Sequence, residues 1–219
     1  MALNKLKFNS INVTPAASEA IRFNSGANGF ETASAGGNMA LIKTQTASSS
    51  ASISFVDGTS DVVLDSTYKE YIFIFNNIHP QSDNQELFFN FSTDGGSNYN
   101  VTKTTTTFRG IHAEDDSEAV LDYRTDGDLA QSTNYQRLNM SSDNDNDASL
   151  SGYLHLFEPS SDTFVKHFIA TTNVIHATKY SVNYFTAGYG NTQSAVNAIN
   201  FLYGSGNIDA GTISLYGVL

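Results

Sequence analysis

From Met39 to the end of the chain, the hydrophobic positions come in short runs of β-branched and aromatic residues, each closed by Gly, Asn, Asp or Ser. The runs are MALIKTQ, SASISFV, EYIFIFNNI, ELFFNFST, TTTFRGI, LSGYLHLF, TFVKHFIATT, VNYFTAGY, AVNAINFLY and TISLYGV. Residues of this kind suit a pleated, half-buried surface, while the intervening residues tolerate the backbone angles of tight turns. The pattern therefore predicts an all-β, antiparallel, jelly-roll-like β-sandwich of about 8–10 strands.

Period-two alternation refines this. In TFVKHFIA, Phe164, Lys166 and Phe168 face one way and Val165, His167 and Ile169 the other, which predicts one apolar face and one mixed or half-exposed face. In YIFIF, Tyr71 to Phe75, both faces are apolar, so this strand is expected centrally in a sheet and covered on both sides. The best helical candidate is TPAASEAI, Thr14 to Ile21, with Thr14 as cap and Pro15 in the first helical position. Residues 1–38 have a different texture, with two short apolar patches among Gly, Asn, Ser and Ala. Such a segment cannot bury enough apolar area alone to offset its ordering entropy. It reads as an attachment arm that orders by packing on something else, with Gly36-Gly37 as hinge and residues 39–219 as the sandwich domain.

Composition agrees: 16 Gly, 11 Tyr, 15 Phe, only three Pro, and neither Cys nor Trp in 219 residues. With no cysteine there is no disulfide framework, thiolate metal site or Cys nucleophile. A net charge of −11 disfavours nucleic acid or an anionic membrane as partner. No apolar run reaches the roughly 20 residues of a membrane helix, and the first residues lack the apolar core of a secretory leader, so the chain reads as soluble and made without one.

Several stretches carry candidate chemistry. FSTDGGSNY, with Ser92, Asp94, Gly95, Gly96 and Tyr99, resembles the Asp box of sialidases, yet a hairpin turn accounts for every residue of it, and it occurs once. SDNDNDAS places Asp143, Asp145 and Asp147 at alternate positions, as oxygen ligands of a Ca²⁺ loop are placed, though Ala148 stands where an EF-hand needs Gly and Leu154 where it needs Glu. A second acidic loop runs over Glu114, Asp115, Asp116 and Glu118. The five histidines form no H-x-H, H-E-x-x-H or G-x-S-x-G arrangement, although His155 and His167 fall mid-strand on one face. A glycosidase would need two facing carboxylates; Glu70, Glu86 and Glu158 are the formal candidates. Tyrosines near loops, namely Tyr68, Tyr99, Tyr123, Tyr135, Tyr180, Tyr184, Tyr189 and Tyr203, offer rings for stacking on sugar or packing at an interface, with Tyr123, Tyr135 and Tyr189 the chosen ligand-binding set.

Five phrases occur in order: DSTYKEYIFIFNNIHPQSDN (65–84), FSTDGGSNY (91–99), LSGYLHLFEPSS (150–161), FVKHFIATT (164–172) and AGYGNTQSAVNAINFLYGSGNIDAGTISLYGVL (187–219). Together they resemble a family of structural proteins of tailed phages, especially marine and cyanobacterial ones, over about residues 40 to 219. The closing SGNIDAGTISLYG is the most specific element. The resemblance implies a jelly-roll-like virion protein and carries over architectural residues only: Asp94, Gly95 and Gly96 in the hairpin, Pro159 after a strand, and Gly206 and Gly211 bounding the penultimate turn. The expected role is a non-enzymatic component of the virion surface, capsid decoration or a comparable outer part, anchored by its arm to other capsid or tail proteins and assembled as a homo-oligomer, a homotrimer by preference. The alternative is a tail-fibre or receptor-binding appendage that recognises a host-surface glycan. No cofactor is expected apart from Ca²⁺ at the acidic loop.

Overall fold

The computed structural model describes residues 19–34 and 38–219 and divides the chain into two units, Met1–Asn38 and Met39–Leu219. In the first, β1 (Glu19–Phe23) pairs antiparallel with β2 (Phe30–Ser34). Glu19 to Ile21, expected to end a helix, are strand; the rest of that candidate, from Thr14 to Ser18, and the Gly36-Gly37 hinge lie outside the described residues. The hairpin prevails because Arg22 meets Glu31 at 3.0 Å and the Phe23 and Phe30 rings stack at 4.9 Å, cross-strand pairs that a helix cannot make. The described part of residues 1–38 is thus a β-hairpin.

The second unit is an antiparallel β-sandwich. Its strands are β3 (Met39–Thr46), β4 (Ile53–Val56), β5 (Glu70–Pro80), β6 (Leu87–Ser92), β7 (Lys103–Ala113), β8 (Ala119–Tyr123), β9 (Gln136–Arg137), β10 (Leu150–Phe157), β11 (Lys166–Ile175), β12 (Tyr180–Gly190), β13 (Ala198–Tyr203) and β14 (Ile208–Val218). Every hydrophobic run named above falls on a strand. The strands that pattern missed are β1, β2, β8 and β9: β9 has two residues, too few for periodicity, and β8 is exposed along most of its length.

The sheets are unequal. One runs β3-β14-β5-β10-β11-β12-β7-β8 and the other β4-β13-β6-β9. Without the β7–β8 and β11–β12 hairpins, the remaining orders are β3-β14-β5-β10 and β4-β13-β6-β9. First strand lies beside last and second beside next-to-last, as in a jelly roll. Both hairpins extend the larger sheet at one end.

Phe55, Phe73, Phe75, Phe89, Phe91, Phe168 and Phe201, all essentially buried, fill the space between the layers. Phe201 on β13 reaches Phe75 at 5.2 Å, Phe73 at 5.5 Å, and Phe55 and Phe89 at 6.4 Å; the contacts with Phe75 and Phe55 are edge-on, a geometry that ring quadrupoles favour, and the other two are tilted. Strand β5 sits inside its sheet as expected, with Tyr71, Phe73 and Phe75 buried. Among the described residues of the second unit no further layer lies on its other face: Ile72 and Ile74 are half-buried, flanked in register by Tyr216, His155 and Tyr153.

The alternation in β11 is also as read, but its inward face carries a lysine. Lys166 and Lys103 stand on either side of Gly190 in one row, and both are buried. Lys166 Nζ donates to the carbonyls of Ser161 and Phe164, each at 2.6 Å, and reaches those of Thr192 and Gln193, tying two loops together. Lys103 Nζ donates to Asn90 Oδ1 and to the Val101 carbonyl, with no carboxylate beside it. Burial drives its pKa down to about 7.

This has a pH signature. Between about 7 and the ordinary lysine value the unfolded chain holds a proton that the folded chain has released, so stability rises with pH across that window. Lys103→Met removes the effect. In urea unfolding of both proteins, the variant should have its greatest advantage below pH 7 and lose it steadily toward pH 10; a gap independent of pH would refute the assignment.

Candidate functional site

The Asp-box-like stretch is a turn secured by its own side chains. Ser92 Oγ donates to Asp94 Oδ1 at 2.7 Å and accepts from the Gly96 N–H at 3.0 Å. Asp94 accepts from the Asn98 side-chain and backbone N–H groups at 2.7 and 2.8 Å. These bonds, led by the Asn98 side chain, hold its carboxyl down to about 2. Gly95 and Gly96 have φ of 70° and 82°, which favours glycine. One expectation needs correction: the turn does not join a hairpin, since β6 belongs to the smaller sheet and β7 to the larger. It leads the chain from the smaller sheet to the larger and is fastened to the start of β13, the neighbour of β6, by Asn197, whose Oδ1 accepts from the Gly95 N–H at 2.9 Å. Similarly, Gly206 (φ 74°) lies in the β13–β14 turn, but Gly211 (φ 105°) lies within β14 at a bulge, where a Cβ would collide with the Asn77 carbonyl.

The three aspartates of the acidic loop do not share a cage. Lys179 Nζ donates to both Asp143 and Asp145, so the chain's own ammonium stands between them. Asp147 lines a separate cleft of about 370 Å³ with His79 and Asp209. Among the described residues no group of three or more His, Asp or Glu side chains is placed to hold a metal ion. Burial acts to raise the Asp143 pKa, but the hydrogen bonds from Lys179 and the Asp145 N–H outweigh it and keep it low.

Each glutamate offered for glycoside chemistry is tied to a different partner: Glu70 to the His155 ring, Glu86 to Arg137 at 3.3 Å and Glu158 to Lys69 at 3.2 Å. His155 and His167 do share the outer face of the larger sheet, where His167 lies against Tyr189.

The tyrosines separate into three groups. Tyr184 and Tyr203 are buried, contrary to their reading as surface rings. Tyr189 lies on the outer face of the larger sheet, over a shallow depression of about 490 Å³ with Phe157 and Ile169. Tyr123 and Tyr135 flank the loop between β8 and β9. The Tyr123 hydroxyl donates to Asp128 at 2.6 Å, and Tyr135 lines a cleft of about 430 Å³ with Asp126, Asp128, Asn134, Arg137, Phe88 and Leu202.

What sequence reasoning missed is the extent of that outer face. Strand register brings Leu41, Tyr216, Ile72, His155, Ile169 and Ala187 into one row across six strands. The next row is Ile74, Tyr153, Thr171, Phe185, Phe108 and Tyr123. A third holds Met39, Val218, Glu70 and Phe157, then His167 and Tyr189. Leu41 is 58% exposed, Tyr153 42% and Ile169 40%, and Phe108 stacks on Phe185 at 4.6 Å. The only carboxylate in the three rows is Glu70, which His155 engages. The signal was present in β5, whose second apolar face had no second layer to meet.

Comparison with protein-family models, with curated proteins and with solved structures returns no match for this chain.

Lys179 gives a direct test of the acidic loop. A lowered folded-state pKa makes the Asp143–Lys179 pair stabilising above the ordinary carboxylate value and lost as the pH falls below it. Lys179→Met should therefore melt at a lower temperature than wild type at pH 7, with the difference shrinking by pH 3. Millimolar calcium should leave the wild-type melting temperature unchanged; a rise would show that the aspartates take the ion in preference to Lys179.

Proposed function

We propose that this chain is a non-enzymatic structural protein of the outer surface of a tailed-phage particle, assembling as a homo-oligomer, a trimer by preference, with residues 1–38 as its attachment arm. The observation that carries the reading is the uncovered face of the larger sheet. Each row crosses six strands spaced about 4.8 Å apart, and three rows about 6.7 Å apart make a field of roughly 29 by 20 Å, on the order of 600 Å². That stands at the upper end of the largest patches of monomers, which are often functional, and at the lower end of the ~600–1,000 Å² per partner of a standard stable interface.

Charge supports the same use. A chain of net charge −11 repels its own copies across most of its surface, and this face, with one paired carboxylate, is where that repulsion is least. The jelly-roll order of the strands and the five ordered phrases that resemble phage structural proteins agree with a virion subunit. Capsid decoration and a tail appendage both fit this surface; the cleft beside Tyr135 favours an appendage that also recognises a host glycan.

The test is a double substitution in the centre of the face, Tyr153→Glu with Ile169→Glu. Wild-type protein should scatter as an oligomer and be found in purified particles of the phage that encodes it. The variant, with an unchanged circular dichroism spectrum, should be monomeric and missing from particles. A monomeric wild type, or a variant that still assembles and is still packaged, would overturn the reading.

A further inference from the structure

The inward face of the β12–β7–β8 end of the larger sheet extends beyond the smaller sheet, and the segment from Arg124 to Ser149 covers it. The cover is polar. Thr105 Oγ1 donates to Gln136 Oε1 at 2.7 Å and accepts from the Leu129 N–H at 2.8 Å, while Gln136 Nε2 donates to the Gly127 carbonyl at 2.8 Å. Where this segment meets the edge of the smaller sheet, it leaves a cleft lined by Phe88, Leu202, Tyr135, Asp126, Asp128 and Asn134 among others.

Two features set this cleft apart from an ordinary gap between loops. Its polar groups are held in place before any ligand arrives. Asp126 receives Arg124 at 2.8 Å and Arg137 at 3.2 Å, Asp128 receives the Tyr123 hydroxyl, and the Tyr135 hydroxyl donates to Asn200 at 3.2 Å. The hydrogen bond from Arg124 holds the Asp126 carboxyl down to about 2, so it remains an acceptor throughout the neutral range.

The second feature is unspent hydrogen-bonding capacity beneath it. Among the described residues the buried side-chain polar atoms without a partner are His79 Nδ1, Arg124 Nε and Tyr184 Oη. The Tyr184 hydroxyl lies behind the cleft wall. Tyr184 is only 1% exposed, and its hydroxyl rests against Gly127 in the cleft wall, where any Cβ would collide with it. Burial pushes its pKa up to about 12; Arg137 acts in the opposite direction without reaching hydrogen-bond geometry. Native proteins seldom leave such groups unpaired, and each exception calls for an explanation.

We propose that this cleft binds a neutral hexose oligosaccharide, with the apolar ring face against Tyr135, Phe88 and Leu202 and the hydroxyls on Asp126, Asp128 and Asn134. A hexose presents one C–H face and a rim of hydroxyls, which matches a cleft that combines half-buried apolar side chains with fixed acceptors and an amide. Anionic sugars fit badly. Two carboxylates face the cleft, and the Arg137 guanidinium is already engaged by Asp126 and Glu86. The proposal is independent of the assembly reading, since none of these residues lies in the three apolar rows of the outer face.

The experiment is an array of neutral, sialylated and sulfated glycans probed with the full chain, followed by calorimetry on the strongest neutral hexose chain. Binding should be confined to neutral hexose chains. Asn134→Ala combined with Asp128→Asn, both at the rim and remote from the core, should weaken it tenfold or more, and Tyr135→Ala should abolish it with an unchanged dichroism spectrum. The Tyr153→Glu, Ile169→Glu protein should keep the per-site affinity, which separates failure of assembly from failure of binding. Absence of any glycan hit, hits restricted to charged glycans, or binding indifferent to the rim substitutions would overturn the proposal.

Discussion

The interdigitation of phenylalanine rings between two sheets of unequal width is the constraint on which the rest depends. Phe201 of the smaller sheet inserts among Phe73 and Phe75 of the larger one, and Phe89 and Phe91 meet Phe168 at 5.0 and 5.7 Å. Rings at these separations interlock the layers and fix their register, because a one-residue slip of any contributing strand would turn its rings outward. Four strands can close only part of an eight-stranded face. The fold therefore needs the polar segment between β8 and β10 as a second cover, and it leaves the opposite face of the larger sheet without one. The cleft and the apolar field both follow from that mismatch.

The internal cations serve the same architecture. Lys166 and Lys103 close the end of the sandwich by collecting carbonyls of loops that no strand pairs, and Lys179 joins the aspartates of another loop. In each case a flexible ammonium does locally what a metal ion or a disulfide does in other small β proteins, in a chain that has no cysteine. The cost appears at Lys103, which is buried without a carboxylate.

Much of the fold was legible because strand periodicity is local. The runs around Phe73, Phe89, Phe168 and Phe201 announce themselves through β-branched and aromatic neighbours, and each lies on a strand. The failures fall where local and distant demands differ. Thr14 to Ile21 satisfies the rules for a helix start, yet Ile21 and Phe23 alternate with Arg22, and cross-strand partners seven to eleven residues away decide the outcome for these three. Asp94, Gly95 and Gly96 announce a turn, but nothing in nine residues tells that the following strand belongs to the other sheet. For the site, the alternate aspartates suggested an ion loop because Lys179, which answers them, stands more than thirty residues away in the chain. Tyr135 was found from its type and place in a loop, whereas Arg137, Gly127 and Tyr184 join it only through the fold.

The central claim is that the uncovered face of the eight-stranded sheet is an assembly surface on a phage particle. An averaged cryo-electron microscopy image of the particle tests it most directly. The account predicts sandwich density in symmetric contact with copies of itself, with Leu41, Tyr153 and Ile169 inside the contact and the cleft at Tyr135 facing outward. Sandwich density whose eight-stranded face is open to solvent, or particles in which no such density is found, would contradict it.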